Sequence, residues 1–208
     1  MSVRRILSLL LFTSAVVAAT WVFRVRRRPR ACPFGQRAWL DMPRPFMRRT
    51  SLLEVLQPRP GERILEIGPG TGYYTLAVAP WLAPGGQLDA LDLQQAMLIE
   101  LRHRRLAMGI DNVVETPGDA SDLPYADATF DAAYLVATLG EVAGSVKVLG
   151  EIRRVLKPSG RLVVGEGQPD PHMVSESRLQ EDASAVGFTH ERTSGFRLGY
   201  FARFRASN

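Results

Sequence analysis

The chain has very few of the side chains that form disulfides and metal sites. Its 208 residues include one cysteine and three histidines. The single thiol, Cys32, permits no internal disulfide. The histidines, His103, His172 and His190, have scattered spacing and form no H-E-x-x-H motif. The sequence therefore predicts neither a disulfide nor a metal site.

Acidic residues are nearly absent from the first fifty positions. That segment holds eleven arginines and one acid, Asp41, whereas residues 51–208 hold fifteen Lys or Arg against twenty Asp or Glu. The net charge of +5 thus comes from the N-terminal segment, and the remainder of the chain carries about −5. Because nucleic-acid binding requires a basic surface on the domain itself, we expect no nucleic acid as substrate.

Charge is also missing from a run of eighteen residues, Ile6 to Phe23. As a helix rising ~1.5 Å per residue, this run would be about 27 Å long, close to the hydrocarbon thickness of a bilayer. Two arginines precede it, and five follow between Arg24 and Arg30. The positive-inside rule then predicts a single-pass membrane protein whose C-terminal part lies in the cytosol.

A cleaved signal peptide is the alternative for this N-terminal segment. Arg4 and Arg5 would form its positive region, and Val17 to Ala19 would be its small-residue cleavage site. The arginines that follow the apolar run hinder translocation, which favours the anchor. An interfacial amphipathic helix is disfavoured because the scattered Ser and Thr residues build no charged face.

The length allows one well-buried domain but not two ordinary ones. We divide the chain into a membrane anchor with its basic flank (1–30), a linker with the start of an N-terminal helix (31–50), and one domain (51–208). The linker is rich in proline and arginine, and the helix is predicted from Phe46 to Leu56.

A glycine-rich loop follows the first predicted strand of the domain. The strand ends at Glu66, and the loop has glycines at alternate positions, Gly68, Gly70 and Gly72. Glycine lacks Cβ, so the backbone of such a loop can approach a nucleotide-like ligand closely. A dinucleotide fingerprint would need a glycine where this chain has Tyr73. The G-x-G-x-G spacing after an acid resembles motif I of the class I S-adenosylmethionine-dependent methyltransferases.

Further elements of the same family follow in the same order, beginning with a helix-like stretch from Tyr74 to Leu82. A second strand, Gln87 to Leu91, ends at Asp92, from which a carboxylate can accept both ribose hydroxyls. A third strand runs into Asp119, which resembles the family's acceptor for the adenine amine. A fourth strand is predicted from Phe130 to Val136, and residues 151–165 resemble the family's helix, turn and fifth strand.

The resemblance covers the chain from Leu52 to the C-terminus. It implies an α/β, doubly wound, Rossmann-like sheet of seven strands with S-adenosyl-L-methionine as cofactor. The C-terminal part is predicted to add a helix from Ser175 to Ala185 and an antiparallel hairpin. The residues that it implies as cofactor contacts are Glu66, Gly68, Gly70, Gly72, Asp92, Leu93, Asp119, Ala120 and Leu135.

The methyl acceptor is less well defined by the sequence. The Asn/Asp-Pro-Pro-Tyr/Phe motif of amino-group methylation is absent after strand four, which disfavours nucleobase and protein amide substrates. A small-molecule or lipid acceptor remains, and the chain resembles the menaquinone and ubiquinone biosynthetic methyltransferases. Transfer needs a base only if the acceptor loses a proton. The candidates are Glu141, His172 and Tyr134, and the catalytic residue stays open.

Two other functions remain open at this point. A nicotinamide-dependent oxidoreductase could use a similar domain, and the glycine spacing argues against it. A membrane-tethered scaffold without catalysis would bind no cofactor, whereas every expected cofactor residue is present.

Overall fold

The structure is a computed structural model that describes residues 31–207. The predicted anchor, Ile6 to Phe23, and the arginines behind it lie outside the described residues. Between Ala31 and Ser207, none of the helices combines the length and the apolar composition that a bilayer crossing requires.

Strands and helices alternate through most of the described chain. In order they are α1 (Arg49–Leu56), β1 (Arg63–Ile67), α2 (Thr75–Val78), β2 (Gln87–Asp92), α3 (Gln95–Ala107), β3 (Val113–Pro117), β4 (Phe130–Val136), α4 (Ser145–Val155), β5 (Leu156–Gly167), α5 (Glu176–Ala185), β6 (Phe188–Phe196) and β7 (Gly199–Ala206). Short 3-10 helices cover Phe34–Trp39, Ala79–Leu82 and Leu139–Glu141.

The seven strands form one mixed sheet in the order β3-β2-β1-β4-β5-β7-β6. Strands β1 to β5 pair in parallel with one another, whereas β7 pairs antiparallel with both β5 and β6. The predicted seven-stranded, doubly wound α/β sheet is therefore confirmed, including the C-terminal hairpin.

Helices cover both faces of this sheet. In β1, Ile64 lies in the same buried cluster as residues of α1, α2 and α3. Its neighbours Leu65 and Ile67 lie in the other cluster, with residues of α4 and α5. Successive side chains of a strand point to opposite faces, so an apolar strand of this kind has to be covered on both sides.

The loops after the parallel strands meet at one edge of the sheet. The order of the strands reverses between β1 and β4, which follow each other in space but not in sequence. In open α/β sheets, ligands bind at such a reversal, outside the carboxyl ends of the strands. A ligand site is therefore expected among the loops after β1, β2, β4 and β5.

Three predicted boundaries were wrong. The helix predicted from Phe46 begins at Arg49, because a turn in which the Met47 amide donates to the Arg44 carbonyl precedes it. The helix predicted from Tyr74 to Leu82 is α-helical only to Val78 and continues as a 3-10 helix, where Pro80 has no amide to donate. The turn predicted before strand five is part of β5, which begins at Leu156.

Candidate active site

The glycine loop after β1 is packed closely by two other parts of the chain. Gly68 has φ +69°, and a Cβ on it would lie 2.5 Å from Oγ1 of Thr138, in the loop after β4. Gly70 has φ +54°, and a Cβ on it would lie 2.9 Å from Cδ1 of Leu40. Gly72 closes the turn into α2, its amide donating to the Pro69 carbonyl at 3.0 Å. A larger residue at Gly68 or Gly70 would be strained and would have to displace these neighbours.

Asp92 connects the ends of β1 and β2. Its Oδ2 accepts a hydrogen bond from the Gly70 amide at 3.2 Å, and its Oδ1 accepts one from the Gln94 amide at 2.8 Å. Burial raises the pKa of Asp92, and these two amides oppose that shift. Each carboxylate oxygen keeps a second lone pair, so Asp92 still fits ribose hydroxyls. Beside it, the apolar side chain of Leu93 is 66% exposed and open to a ligand.

Glu66 lies beneath the glycine loop. Its carboxylate is buried, accepts a hydrogen bond from the Thr75 hydroxyl, and lies against the Tyr134 hydroxyl. Burial raises the pKa of Glu66 to about 7. The contacts that the structure describes for Glu66 support the turn into α2, and its direct contact with a cofactor stays a prediction.

The remaining implied cofactor residues differ in accessibility. Asp119 is exposed, and its Oδ1 accepts a hydrogen bond from the Ser121 amide at 2.8 Å, which lowers the pKa of Asp119. Ala120 is buried beside it. The side chain of Leu135 is buried in the core between the sheet and α4. The cofactor contact predicted for Leu135 stays a prediction.

Glu141 lies between the cofactor side and the loop after β5. Its Oε2 accepts a hydrogen bond from the Cys32 amide at 3.1 Å. Burial raises the pKa of Glu141 to about 7, and the nearby negative charges of Asp170 and Asp92 act in the same direction. A carboxylate near both ends of the site, half ionised near neutral pH, is suited to accept a proton.

His172 lies on the loop after β5 next to Asp170. Its Nδ1 is 3.7 Å from Oδ1 of Asp170, and its amide donates to the same oxygen at 2.7 Å. The His172 carbonyl packs against Gly140, leaving no room for a side chain there, so this loop is in contact with the one that carries Glu141. Of the three predicted bases, Glu141 and His172 are therefore brought to neighbouring loops.

Tyr134, the third predicted base, does not reach this region. It is fully buried in β4, and burial together with Glu66 raises the pKa of its hydroxyl well above its usual value. A group without solvent access and with a raised pKa does not accept a proton from an acceptor molecule near neutral pH. The structure therefore argues against Tyr134 as a base.

Residues 31–47, which we call the N-terminal strap, cross the candidate site. The Gln94 side chain binds the strap at both ends of its amide: Nε2 donates to the Cys32 carbonyl at 2.8 Å, and Oε1 accepts from the Phe34 amide at 3.2 Å. Further along the strap, Asp41 accepts from the Thr71 hydroxyl at 3.0 Å. The segment predicted as a linker thus contacts the loops after β1, β2 and β4.

Sequence reasoning missed Gln94, Asp41 and Glu166 as parts of this region. The side chain of Glu166 is buried. Its Oε2 accepts a hydrogen bond from the Val174 amide at 3.1 Å, and burial raises the pKa of Glu166 to about 8. The only local signal for Glu166 is an acid directly after the apolar run of residues 162–165. Gln94 and Asp41 carry no such signal, because their partners are distant in sequence.

Comparison with known proteins agrees with this reading of the loops. Residues 65–164 match a family described as a methyltransferase domain. A demethylmenaquinone methyltransferase of Clavibacter sepedonicus is 41% identical over 123 residues, which cover 59% of this chain and 48% of that protein. The ubiquinone/menaquinone biosynthesis C-methyltransferase UbiE of Paracoccus denitrificans is 35% identical over 119 residues, covering 57% and 47%. The chain spans about half the length of these curated relatives.

Solved structures share the fold at lower identity. A SAM-dependent methyltransferase from Aquifex aeolicus matches with a TM-score of 0.77 at 20% identity, over 85% of this chain and all of that one. The [4+2]-cyclase SpnF matches with a TM-score of 0.69 at 21% identity, over 76% and 79%. A shared fold does not by itself define a reaction. The family match and the order of the motifs do assign the domain: residues 65–164 belong to the class I methyltransferases, whose cofactor is S-adenosyl-L-methionine.

Proposed function

We propose that this chain transfers the methyl group of S-adenosyl-L-methionine to a ring carbon of a lipid-soluble, quinone-type acceptor. The acceptor class is supported by the names of the two relatives described above, which specify menaquinone and ubiquinone synthesis. The structural observation that carries the proposal is the position of Glu141. Its carboxylate accepts from the Cys32 amide, and the Cys32 carbonyl in turn accepts from Gln94, next to the cofactor side. On the other side, the adjacent Gly140 packs against the loop that carries His172.

The cofactor would be held by the ends of β1 and β2. The glycine loop allows a close approach of the backbone, and Asp92 can accept hydrogen bonds from ribose hydroxyls. Leu93 offers an apolar surface beside that carboxylate. When bound, the cofactor supplies a methyl group that its sulfonium already activates, so the main task of the protein is alignment.

Glu141 is the residue that we assign to proton transfer. A quinol hydroxyl is a weak acid, and its deprotonation places negative charge on the ring carbon that receives the methyl group. In the proposed step, the hydroxyl proton moves to the Glu141 carboxylate. The ring carbon would form the new bond to the methyl carbon as the methyl–sulfur bond breaks, and the demethylated cofactor would leave as a neutral thioether. Loss of the remaining proton of that carbon to solvent restores the aromatic ring, and Glu141 returns its proton to the ring oxygen. A carboxylate whose pKa is raised to about 7 suits this exchange.

His172 is a second proton acceptor in this proposal. It lies beside Asp170, with its Nδ1 3.7 Å from Oδ1 of that residue. Its loop contacts the Glu141 loop at Gly140, so the two residues lie on neighbouring loops at this edge of the sheet.

We further propose that the enzyme works at a membrane. The uncharged run from Ile6 to Phe23 would form a single membrane-spanning helix, and the arginines after it would keep the catalytic domain in the cytosol. A lipid-soluble acceptor and a cytosolic cofactor would then meet at the bilayer surface. No nucleic acid takes part in this proposal.

A transfer assay with labelled cofactor tests the proposal. The full chain is placed in lipid vesicles with a demethylated quinol, and the product is identified by mass. We expect a methyl group on a ring carbon, and we expect Glu141→Gln to bind the cofactor but to transfer slowly. Methylation of oxygen alone, or cofactor binding without any product, would contradict the acceptor assignment.

Calorimetry separates the other two functions. Binding of NADH without binding of S-adenosyl-L-methionine would favour the oxidoreductase. Binding of neither compound would favour a scaffold without catalysis.

A further inference from the structure

Three large apolar side chains are exposed together at the end of the N-terminal strap. Phe46 and Phe196 meet edge to face with their ring centroids 5.2 Å apart. They are 42% and 54% exposed, and Leu198, in the turn between β6 and β7, is 44% exposed. Exposed apolar side chains that cluster in this way mark a contact surface more often than single ones do.

Three exposed arginines flank these apolar residues. Arg48 and Arg49 follow Phe46 closely, and Arg197 stands between Phe196 and Leu198 in the chain. Within residues 31–207, no carboxylate forms a salt bridge with any of the three. Arg49 instead lies over the Tyr73 ring, 4.1 Å from its centroid. The surface thus combines an apolar centre with three arginines that form no salt bridge within the described chain.

This surface adjoins the acceptor side of the candidate site. Gly167 and Gly199 pair at the ends of β5 and β7, and Met47 and Phe46 pack so closely on them that no side chain fits there. The loop that carries His172 starts directly after Gly167. A molecule that leaves the surface around Phe46 would therefore arrive next to the loops assigned to the acceptor.

We propose that this surface, the Phe/Arg patch (Phe46, Phe196, Leu198, Arg48, Arg49 and Arg197), docks on a bilayer that contains anionic lipids. Phe and Leu side chains on a basic surface bury at the boundary between headgroups and acyl chains, and guanidinium groups bind phosphate through several hydrogen bonds. The patch would hold the acceptor side of the domain against the membrane. We assign the patch the delivery of a lipid-soluble acceptor, and this assignment rests on the proposed function.

The rest of the chain favours a bilayer over a protein partner. The first fifty residues hold eleven arginines and one acid, and they include the uncharged run from Ile6 to Phe23. The strap begins one residue after the arginine-rich flank and ends at the patch. The charge of the patch therefore continues that of the segment before it, and both complement an anionic lipid surface.

Depth measurements with the full chain test the docking. The chain carries Cys32→Ser and a single label at Leu198→Cys, in vesicles of phosphatidylcholine and phosphatidylglycerol with a quencher attached at the headgroups. The matched control is a label at Met108→Cys, which is 60% exposed at the end of α3, by the opposite edge of the sheet. We expect strong quenching at position 198 and little at position 108.

Charge variants show whether the arginines are responsible. Arg48→Gln and Arg197→Gln should each lower the ratio of docked to undocked domain about five-fold. One arginine near an anionic surface increases membrane binding by about that factor. Arg59→Gln, an exposed arginine before β1, is the control and should change nothing.

Two results would overturn the proposal. Equal quenching at positions 198 and 108 would mean that the domain does not dock through the patch. Quenching that persists unchanged in vesicles of phosphatidylcholine alone would exclude recognition of anionic lipid. The vesicles contain neither quinone nor cofactor, so either failure leaves the proposed methyl transfer to its own assay.

Discussion

Arg104 binds Asp41 through two parallel hydrogen bonds, from Nη1 to Oδ1 at 2.6 Å and from Nη2 to Oδ2 at 2.8 Å. The pair joins α3 to the N-terminal strap. The same strap places the Cys32 amide on Glu141. A movement of the strap would therefore change both the cover over the glycine loop and the hydrogen bonding of the assigned base.

Removing the charge of Asp41 should loosen the strap. Both side chains of the pair are about one-third exposed, so Asp41→Asn should cost about 0.5–1 kcal/mol of local stability. Hydrogen exchange of the amides of residues 34–47 should be about two- to five-fold faster than in the parent chain. Glu100→Gln removes the other acid that binds Arg104 and should leave this exchange nearly unchanged. Equal exchange in the parent and Asp41→Asn would show that the pair does not hold the strap.

Asp92→Ala should weaken binding of S-adenosyl-L-methionine by about 1–3 kcal/mol, because two ribose hydroxyls lose a charged acceptor. The change also frees the Gly70 and Gln94 amides that Asp92 binds. Calorimetry with the cofactor and with its demethylated product measures the loss, and Asp111→Ala, an exposed acid, serves as control. Unchanged affinity would mean that the ribose does not bind at the end of β2.

Glu141→Gln should abolish the rise of the transfer rate with pH. In the parent chain the carboxylate form is the base, so kcat should increase as the pH passes through about 7. Glutamine cannot accept the proton, and kcat should fall by about 10²–10⁴-fold with cofactor affinity retained. The exposed Glu54→Gln is the control. A variant that keeps both the rate and the pH profile would leave His172 as the base.

Glu166→Gln should change the pH dependence of stability. The pKa of Glu166 is raised from its ordinary 4.5 to about 8, so between these values the folded chain keeps a proton that the unfolded chain releases. Stability therefore falls as the pH rises through this window, by up to ~1.4 kcal/mol per pH unit. Glutamine removes this loss and keeps an oxygen for the Val174 amide.

Urea unfolding of the two chains across this window measures the effect. The free energy of unfolding of Glu166→Gln, relative to the parent, should increase with pH. A constant difference would mean that Glu166 does not hold a proton in the folded chain.

Ala15→Arg should reduce membrane anchoring. An arginine in the middle of a spanning helix costs about 2.5–3.5 kcal/mol on insertion scales. Alkaline carbonate washing should leave the parent chain in the membrane and release part of the variant. Release of the parent as well would mean that Ile6 to Phe23 does not span, and a mature chain that starts near Thr20 would identify a signal peptide. A reporter fused after Asn208 should be active in the cytosol.

The sequence by itself determined the order of the sheet elements and the family. Strand, glycine loop and terminal acid are local patterns, and parallel strands bring their carboxyl ends to one edge whatever the side-chain packing is. This is why the sequence alone predicts Gly68, Gly70 and Asp92 at one site. The charge pattern of the first thirty residues is equally local, and the expectation of an anchor depends on it alone.

Only the tertiary structure decided what lies over and under that edge. The strap contacts Gln94 through Phe34, 60 positions earlier in the chain, and Glu141 through Cys32, 109 positions earlier. No local sequence pattern encodes such contacts. Burial separated the candidate residues for the same reason: Tyr134 and Leu135 face the interior because helices cover both sides of β4. A sequence shows which side chains alternate along a strand, whereas the packing of distant elements decides which of them meet solvent, a ligand or the core.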